Sequence, residues 1–129
     1  MASVRKAGPK DVLLFELWMT TTKWLLERTQ RFPQHLRHTL TQRVDNLAIE
    51  ILEDLTTAAW SKDKQTPLAR ADDRLNRLRV ILRLCHETQV LSHGHYEEAA
   101  KMLGEAGRQL GGWRQSVATH GTGHVSTND

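Results

Sequence analysis

The stretch TPLARADDRLNRLRVILRLC, residues 66–85, decides the fold. Its apolar positions Leu68, Ala71, Leu75, Leu78, Leu82 and Cys85 follow one another at spacings of three and four, which places them on one face of an α-helix as a heptad-like seam. No alternation with a period of two competes with that pattern. Thr66-Pro67 reads as an N-cap followed by the first helical position, where a missing proline N–H leaves no bond unmade. Ser92-His93-Gly94-His95 breaks the seam, so the helix is expected to run to about Leu91.

Outward from this segment the same period recurs. Ser61 to Thr66 (SKDKQT) is a polar connector, and before it Leu36, Leu40, Val44, Leu47, Ile51, Leu55 and Ala58 predict a helix from Pro33 to Trp60. At about 1.5 Å per residue such a helix is roughly 40 Å long. The first segment, Asp11 to Gln30, carries Leu14, Leu17, Trp18, Thr21, Trp24 and Leu25 on its apolar face, with Asp11 as its cap. It stops at Arg31-Phe32-Pro33 because the residue before a proline is pushed out of the α region. Beyond the break, Tyr96, Ala99, Leu103, Ala106, Leu110 and Val117 predict a fourth helix. Trp18, Trp24 and Trp60 read as core or interface aromatics. Four amphipathic helices on short connectors make an all-α, up-down-up-down four-helix bundle over residues 11–117. A basic arm (1–10, with Arg5, Lys6 and Lys10) precedes it, and residues 118–129, poor in large apolar side chains, read as a disordered tail.

Composition bounds the function. The chain has 129 residues, one domain's worth, and 18 Lys+Arg against 15 Asp+Glu give a net charge of only +3. Any affinity for an anionic partner therefore depends on where the charges sit. A single cysteine, Cys85, excludes an intrachain disulfide framework and a cysteine-rich zinc site. No apolar run approaches the roughly 20 residues of a membrane span, and no signal-peptide apolar region follows the basic start. A soluble cytoplasmic protein is expected, with no membrane association. His35 and His38, and His93 and His95, lack a carboxylate or cysteine at ligand spacing, His120 and His124 fall in the tail, and there is no HExxH; no metal site is expected. Cys85 and His86 project about 100° apart on a helix and do not make a nucleophile–base pair. With no nucleophile elbow, P-loop or GxGxxG, neither an enzyme nor a cofactor is expected.

The charge that stands out is on the third helix. Arg70, Arg74 and Arg77 fall on one flank of the seam, Arg79 and Arg83 on the other: five arginines in fourteen residues. One reading is a solvated face laced by ion pairs, such as Asp73 with Arg77 at i, i+4. The other is a phosphate-binding surface, since the planar guanidinium fork matches phosphate oxygens. A symmetric oligomer would repeat these rows and sum their fields. The fourth helix adds Gly107, Gly111 and Gly112 within six residues, although glycine costs about 1 kcal/mol relative to alanine inside a helix. Close backbone approach to a neighbouring helix or subunit, or helix termination at Gly111-Gly112, are the two explanations.

Several of these features together resemble the Avd (accessory variability determinant) proteins of diversity-generating retroelements. They are Arg31-Phe32-Pro33 opening the second helix, Leu78-Arg79 with Leu82-Arg83-Leu84, and the run Glu105-Ala106-Gly107-Arg108-Gln109-Leu110-Gly111-Gly112-Trp113. The resemblance covers about Leu14 to Arg114, and its most specific part is the closing Gly107-Arg108-x-Leu110-Gly111-Gly112-Trp113, a packing or interface motif. Ala106 stands where that family commonly has isoleucine. The broader family includes four-helix-bundle proteins encoded in ribosomal RNA intervening sequences. The resemblance implies a barrel-like homopentamer of bundles that binds RNA and DNA and associates with a reverse transcriptase. It also implies a non-catalytic role, supporting the copying of template RNA for mutagenic retrohoming. Arg79 and Arg83 match the family's third-helix arginines, and helical geometry adds Arg70, Arg74 and Arg77. The competing expectation is a four-helix-bundle scaffold that binds only proteins.

Overall fold

A computed structural model describes residues 9–128 of the backbone and the side chains of residues 11–119. Of the arm expected at 1–10, all but Pro9 and Lys10 lies outside the described residues. The described chain is all helical: α1 (Pro9–Thr29), α2 (Gln42–Trp60), α3 (Gln65–Glu87) and α4 (His93–Asn128), with no strand among the described residues. The helices pack in a ring, α1 on α2, α2 on α3, α3 on α4 and α4 on α1, consistent with the expected four-helix bundle.

The seam that decides the fold is the centre of the core. Leu68, Ala71, Leu75, Leu78, Leu82 and Cys85 are all buried, and they meet Leu14, Trp18 and Leu25 of α1, Val44, Leu47, Ile51, Leu55 and Ala58 of α2, and Ala99, Leu103, Ala106, Leu110 and Trp113 of α4. Trp18 is fully buried, and its indole Nε1–H donates to the Ala48 carbonyl at 2.8 Å. That bond removes the one polar atom that would oppose burying so large a ring. Trp60, at the last turn of α2, is 67% exposed and so is not a core aromatic of the bundle.

Burial also settles the chemistry of Cys85. Desolvation of the thiolate pushes its pKa up to about 11, because the water the charged form loses outweighs the backbone hydrogen bond it gains. At pH 8 the folded protein should therefore hold roughly 100-fold less thiolate than an ordinary cysteine, and the thiolate is the reacting species. Reaction with a thiol-specific disulfide reagent is expected to be at least that much slower in the native protein than in guanidinium. Equal rates in both states would show that the thiol is accessible.

The helix ends depart from the sequence reading in instructive ways. The second helix does not begin at Pro33. Pro33 is extended (φ −53°, ψ 140°), Gln34–Leu36 form a 3-10 turn, Arg37–Thr41 a π turn, and α-helical geometry starts only at Gln42. Leu36 and Leu40, the first two members of the predicted stripe, are accordingly only half-buried. The α1–α2 corner is held by Thr29, whose hydroxyl donates to Asp45 Oδ1 at 2.7 Å. Helix α3 is capped not by Thr66 but by Asp63, whose carboxylate accepts the Thr66 N–H at 3.2 Å. Bonds from the Thr66 side chain and backbone hold that carboxyl below its ordinary range. Lys64 folds back onto the preceding helix and donates from Nζ to the Ala58 carbonyl at 2.7 Å, occupying an acceptor that the end of α2 leaves open.

Helix α3 stops at Glu87 rather than near Leu91. Gln89 takes the left-handed conformation (φ 66°), and the Val90 and Leu91 N–H groups turn back to the Cys85 carbonyl at 2.8 and 3.0 Å. Helix α4 then starts at His93, with Ser92 Oγ accepting the His95 N–H at 3.2 Å, so the residues that break the α3 seam are themselves a helix start. Gly111-Gly112 does not end α4. No glycine among the described residues has a positive φ, and α4 continues through the pair and beyond Val117 to Asn128. Of the stretch read as a tail, side chains are described for Ala118 and Thr119, both exposed.

Candidate nucleic-acid interface

The five third-helix arginines separate onto two sides of the bundle. Arg70, Arg74 and Arg77 face α2 and, with Arg43, Leu47, Glu50 and Asp73, line a groove between α2 and α3. Two of these arginines, Arg70 and Arg74, are held by Asp54 of α2, whose side chain is only 5% exposed. Arg74 Nη1 donates to both Asp54 oxygens, at 2.6 and 2.8 Å, and Arg70 Nε reaches Oδ1 at 3.3 Å. Arg74 also pairs with Glu50 at 3.4 Å, and the Asp54 bond raises its pKa further. Arg77 pairs with Asp73 at 2.9 Å, the i, i+4 bridge that the spacing predicts, and both side chains are 62% exposed.

Arg79 and Arg83 lie on the α4 side. Arg83 pairs with Glu87 at 2.7 Å, again one helical turn away, and the pairing raises its pKa. Arg79 does something the sequence pattern does not show. Its Nη2 donates to the Leu103 carbonyl at 3.3 Å while Nη1 donates to Asn76 at 3.2 Å, so the guanidinium lies flat against the backbone of α4. Gly107 makes room for it: a Cβ there would stand 2.5 Å from Arg79 Nη2 and 3.5 Å from Leu75 Cδ2. Helix termination is excluded, and at Gly107 the close neighbour is the end of the Arg79 side chain rather than the backbone of another helix. Gly107 admits that guanidinium, whereas Cβ atoms at Gly111 or Gly112 would meet nothing within 4 Å.

The rest of the Gly107–Trp113 motif divides between core and surface. Leu110 and Trp113 are buried and Arg108 is exposed, pairing with Glu105, whose carboxyl is held below its ordinary range by the Arg108 and Gln109 bonds. Ala106 is buried in the core. Arg114, just beyond, crosses to Asp72 of α3 at 3.0 Å.

A residue outside the third-helix pattern belongs to the groove. Arg43 of α2 lines it and makes no ion pair with any described residue. Chemically the groove is a row of guanidinium groups in which the arginines of α3 are each tied to a carboxylate and the one from α2 is not. Exposed ion pairs contribute only about 0–1 kcal/mol, so Arg77 and Arg83 can exchange their carboxylates for phosphate at little cost. Arg74, seated on a buried carboxylate, cannot do so cheaply.

Three histidines lie away from the arginine groove, near the start of α4. His86 stacks on Tyr96 (ring centroids 4.5 Å apart) and contacts His93 at 3.2 Å, while His95 lies edge-on to Trp24 and within 3.1 Å of Arg28. Among the described residues no group of three or more His, Cys, Asp or Glu is placed to hold a metal ion, and no helix is long and apolar enough to cross a membrane.

Comparison with known proteins agrees with this architecture. No curated protein matches the chain. A family model described as bAvd-like matches residues 16–117, which takes in all four helices and both arginine flanks. The chain belongs to the bAvd-like family.

Proposed function

We propose that this protein is a non-catalytic, cytoplasmic accessory factor of a diversity-generating retroelement that binds nucleic acid and associates with the element's reverse transcriptase and template RNA in mutagenic retrohoming. Family membership supports the retroelement role. The observation that carries nucleic-acid binding is the arginine array of α3 with Arg43, in which the exposed bridges of Arg77 and Arg83 can open to phosphate. Arg79 completes the array from the α4 side. Assembly into a homopentamer is part of the proposal. Exposed Val12 and Trp60, which border one groove with Phe15, Leu55 and Ala59, supply apolar surface suited to a subunit contact. The reading takes Gly107, Leu110 and Trp113 as packing within the bundle and leaves the exposed Arg108, Gly111 and Gly112 as interface candidates.

Fluorescence anisotropy of labelled structured RNA and duplex DNA across a salt series tests the reading. Binding to both, falling steeply with salt, is expected from phosphate contacts. Arg79→Ala with Arg83→Ala removes two such contacts, which at 0.1 M salt amounts to a roughly 60-fold loss on duplex and a salt slope shallower by about 1.8. The circular dichroism should stay helical, because Arg79 gives up one backbone bond worth about 1 kcal/mol and Arg83 only a surface bridge. Unchanged binding removes these two residues from the interface.

One observation favours a protein-only scaffold instead: the third-helix arginines are all engaged within the chain, as a solvated face would be. No binding to either nucleic acid at low salt, with a discrete oligomer in light scattering, would select that reading.

A further inference from the structure

Among the described residues, the arginines whose side chains make neither an ion pair nor a hydrogen bond lie outside the third helix. Between Glu27 and Asp45 there is no acidic residue, while Arg28, Arg31, Arg37 and Arg43 lie in that interval with His35 and His38. Arg28 is engaged with Glu27, His95 and the Trp24 ring. Arg31, Arg37 and Arg43 are exposed and make no ion pair or hydrogen bond with any described side chain. Asp45, the nearest acid beyond, is committed to the Thr29 hydroxyl, and burial pushes its carboxyl above the ordinary range. No described carboxylate therefore forms an ion pair with these three guanidinium groups, as carboxylates do with the arginines of α3 in the α2–α3 groove.

The local fold presents these groups rather than burying them. The 3-10 and π turns over residues 34–41 contain no buried residue. Beneath them a shallow depression is lined by Thr29, Gln30, Phe32, Pro33, Gln34, Arg37 and Thr41, a mostly polar surface of hydrogen-bonding side chains. Of its apolar members Phe32 is buried in the core and only Pro33 is exposed, and the neighbouring Leu36 and Leu40 are half-buried, so the corner presents little apolar surface to a lipid layer. Arg43, in the first turn of α2 two residues beyond Thr41, lines the groove that holds Arg70, Arg74 and Arg77, so the acid-free interval runs from the corner to that groove.

We infer that the α1–α2 corner, through Arg31, Arg37 and Arg43, is a phosphate-contacting surface for a nucleic-acid backbone, extending the path of the strand from the α2–α3 groove around the end of the bundle. This rests on the nucleic-acid reading above and adds a site to it. Each residue brings a planar donor fork with no internal partner to displace, whereas the arginines of α3 must first release a carboxylate.

The test compares three full-length proteins by anisotropy on the same duplex DNA and structured RNA over a salt series: wild type, Arg31→Gln/Arg37→Gln/Arg43→Gln, and a control of equal net charge, Lys23→Gln/Lys62→Gln/Lys101→Gln, which removes exposed lysines elsewhere. One phosphate contact per arginine predicts a loss of roughly 500-fold at 0.1 M salt and a duplex salt slope shallower by about 2.7 for the corner variant. The control should stay within about 3-fold of wild type. Arg31→Lys/Arg37→Lys/Arg43→Lys, which keeps the charge, should retain most of the affinity and so guards against a folding artefact, as does an unchanged thermal midpoint. If wild type binds and the corner variant binds equally well, or the lysine control loses as much, the corner assignment is overturned and the broader reading stands. A corner variant that keeps nucleic-acid binding but loses binding to anionic phospholipid vesicles overturns it in favour of a lipid surface. If wild type binds no nucleic acid at low salt, the broader reading fails and this inference with it.

Discussion

Trp18→Ala is expected to lower the unfolding free energy by about 3–5 kcal/mol, the range for removing a large buried aromatic side chain. The ring is fully buried in α1 and tied to α2 through the Ala48 carbonyl, so truncation both opens a cavity and severs a cross-helix bond. For a domain with about 5–15 kcal/mol in total, that is a large fraction of its stability. The thermal midpoint should fall by roughly 10–20 °C, taking a few degrees per kcal/mol for a chain of this size. Trp18→Phe separates the two effects. It fills most of the volume but cannot donate, so the loss should be about 1–2 kcal/mol, mainly the hydrogen bond and a smaller void. Urea unfolding followed by far-ultraviolet circular dichroism measures both. A loss below 1 kcal/mol for the alanine variant would mean that the α1–α2 contact is not packed around this ring.

The core was legible because periodicity reports a property that packing must satisfy. Every seam position from Leu68 to Cys85 is buried, and the neighbouring stripes supply the rest of the core. Helix boundaries were less legible, for a physical reason. Leu36 and Leu40 keep helical spacing across a 3-10 turn and a π turn, since one is tighter and the other wider than an α turn and their deviations offset, so the apolar pattern cannot tell them from an α-helix. The extended ψ of Pro33 is what excludes it from the helix. Gly107 was visible as an anomaly, but its reason is a guanidinium on another helix, which no local pattern carries.

The same limit applied to the arginines. A helical wheel finds Asp73 for Arg77, one turn away. It does not find Asp54 for Arg70 and Arg74, because that pair forms across helices at sequence separations of 16 and 20. The available signal was Asp54 itself, an acid set three residues after Ile51 and beside Leu55 on the apolar side of α2. Charge counting over a whole segment, rather than along one helix face, is what brings out the acid-free interval that ends at Arg43.

Asp54 leads to the second large effect. Its side chain is 5% exposed, whereas those of Arg70 and Arg74 are 47% and 30% exposed, so the two sides of the bridge are not equivalent. Arg70→Ala with Arg74→Ala leaves a buried carboxylate with neither water nor a cation, and is expected to destabilise by about 3–5 kcal/mol. Asp54→Ala leaves two guanidinium groups that can turn outward into water, so its loss should be nearer 1–2 kcal/mol. The triple alanine variant should then be more stable than the arginine double variant, because it removes the stranded charge. Urea denaturation of the three variants checks the order, and an arginine double variant within 1 kcal/mol of wild type would show that water reaches Asp54 in the folded state. The order also governs how binding data are read. Weak binding after substitution at Arg70 or Arg74 mixes a lost phosphate contact with a damaged α2–α3 interface. Arg43 and Arg77, at the rim of the same groove and free of any buried partner, report on the phosphate contact alone.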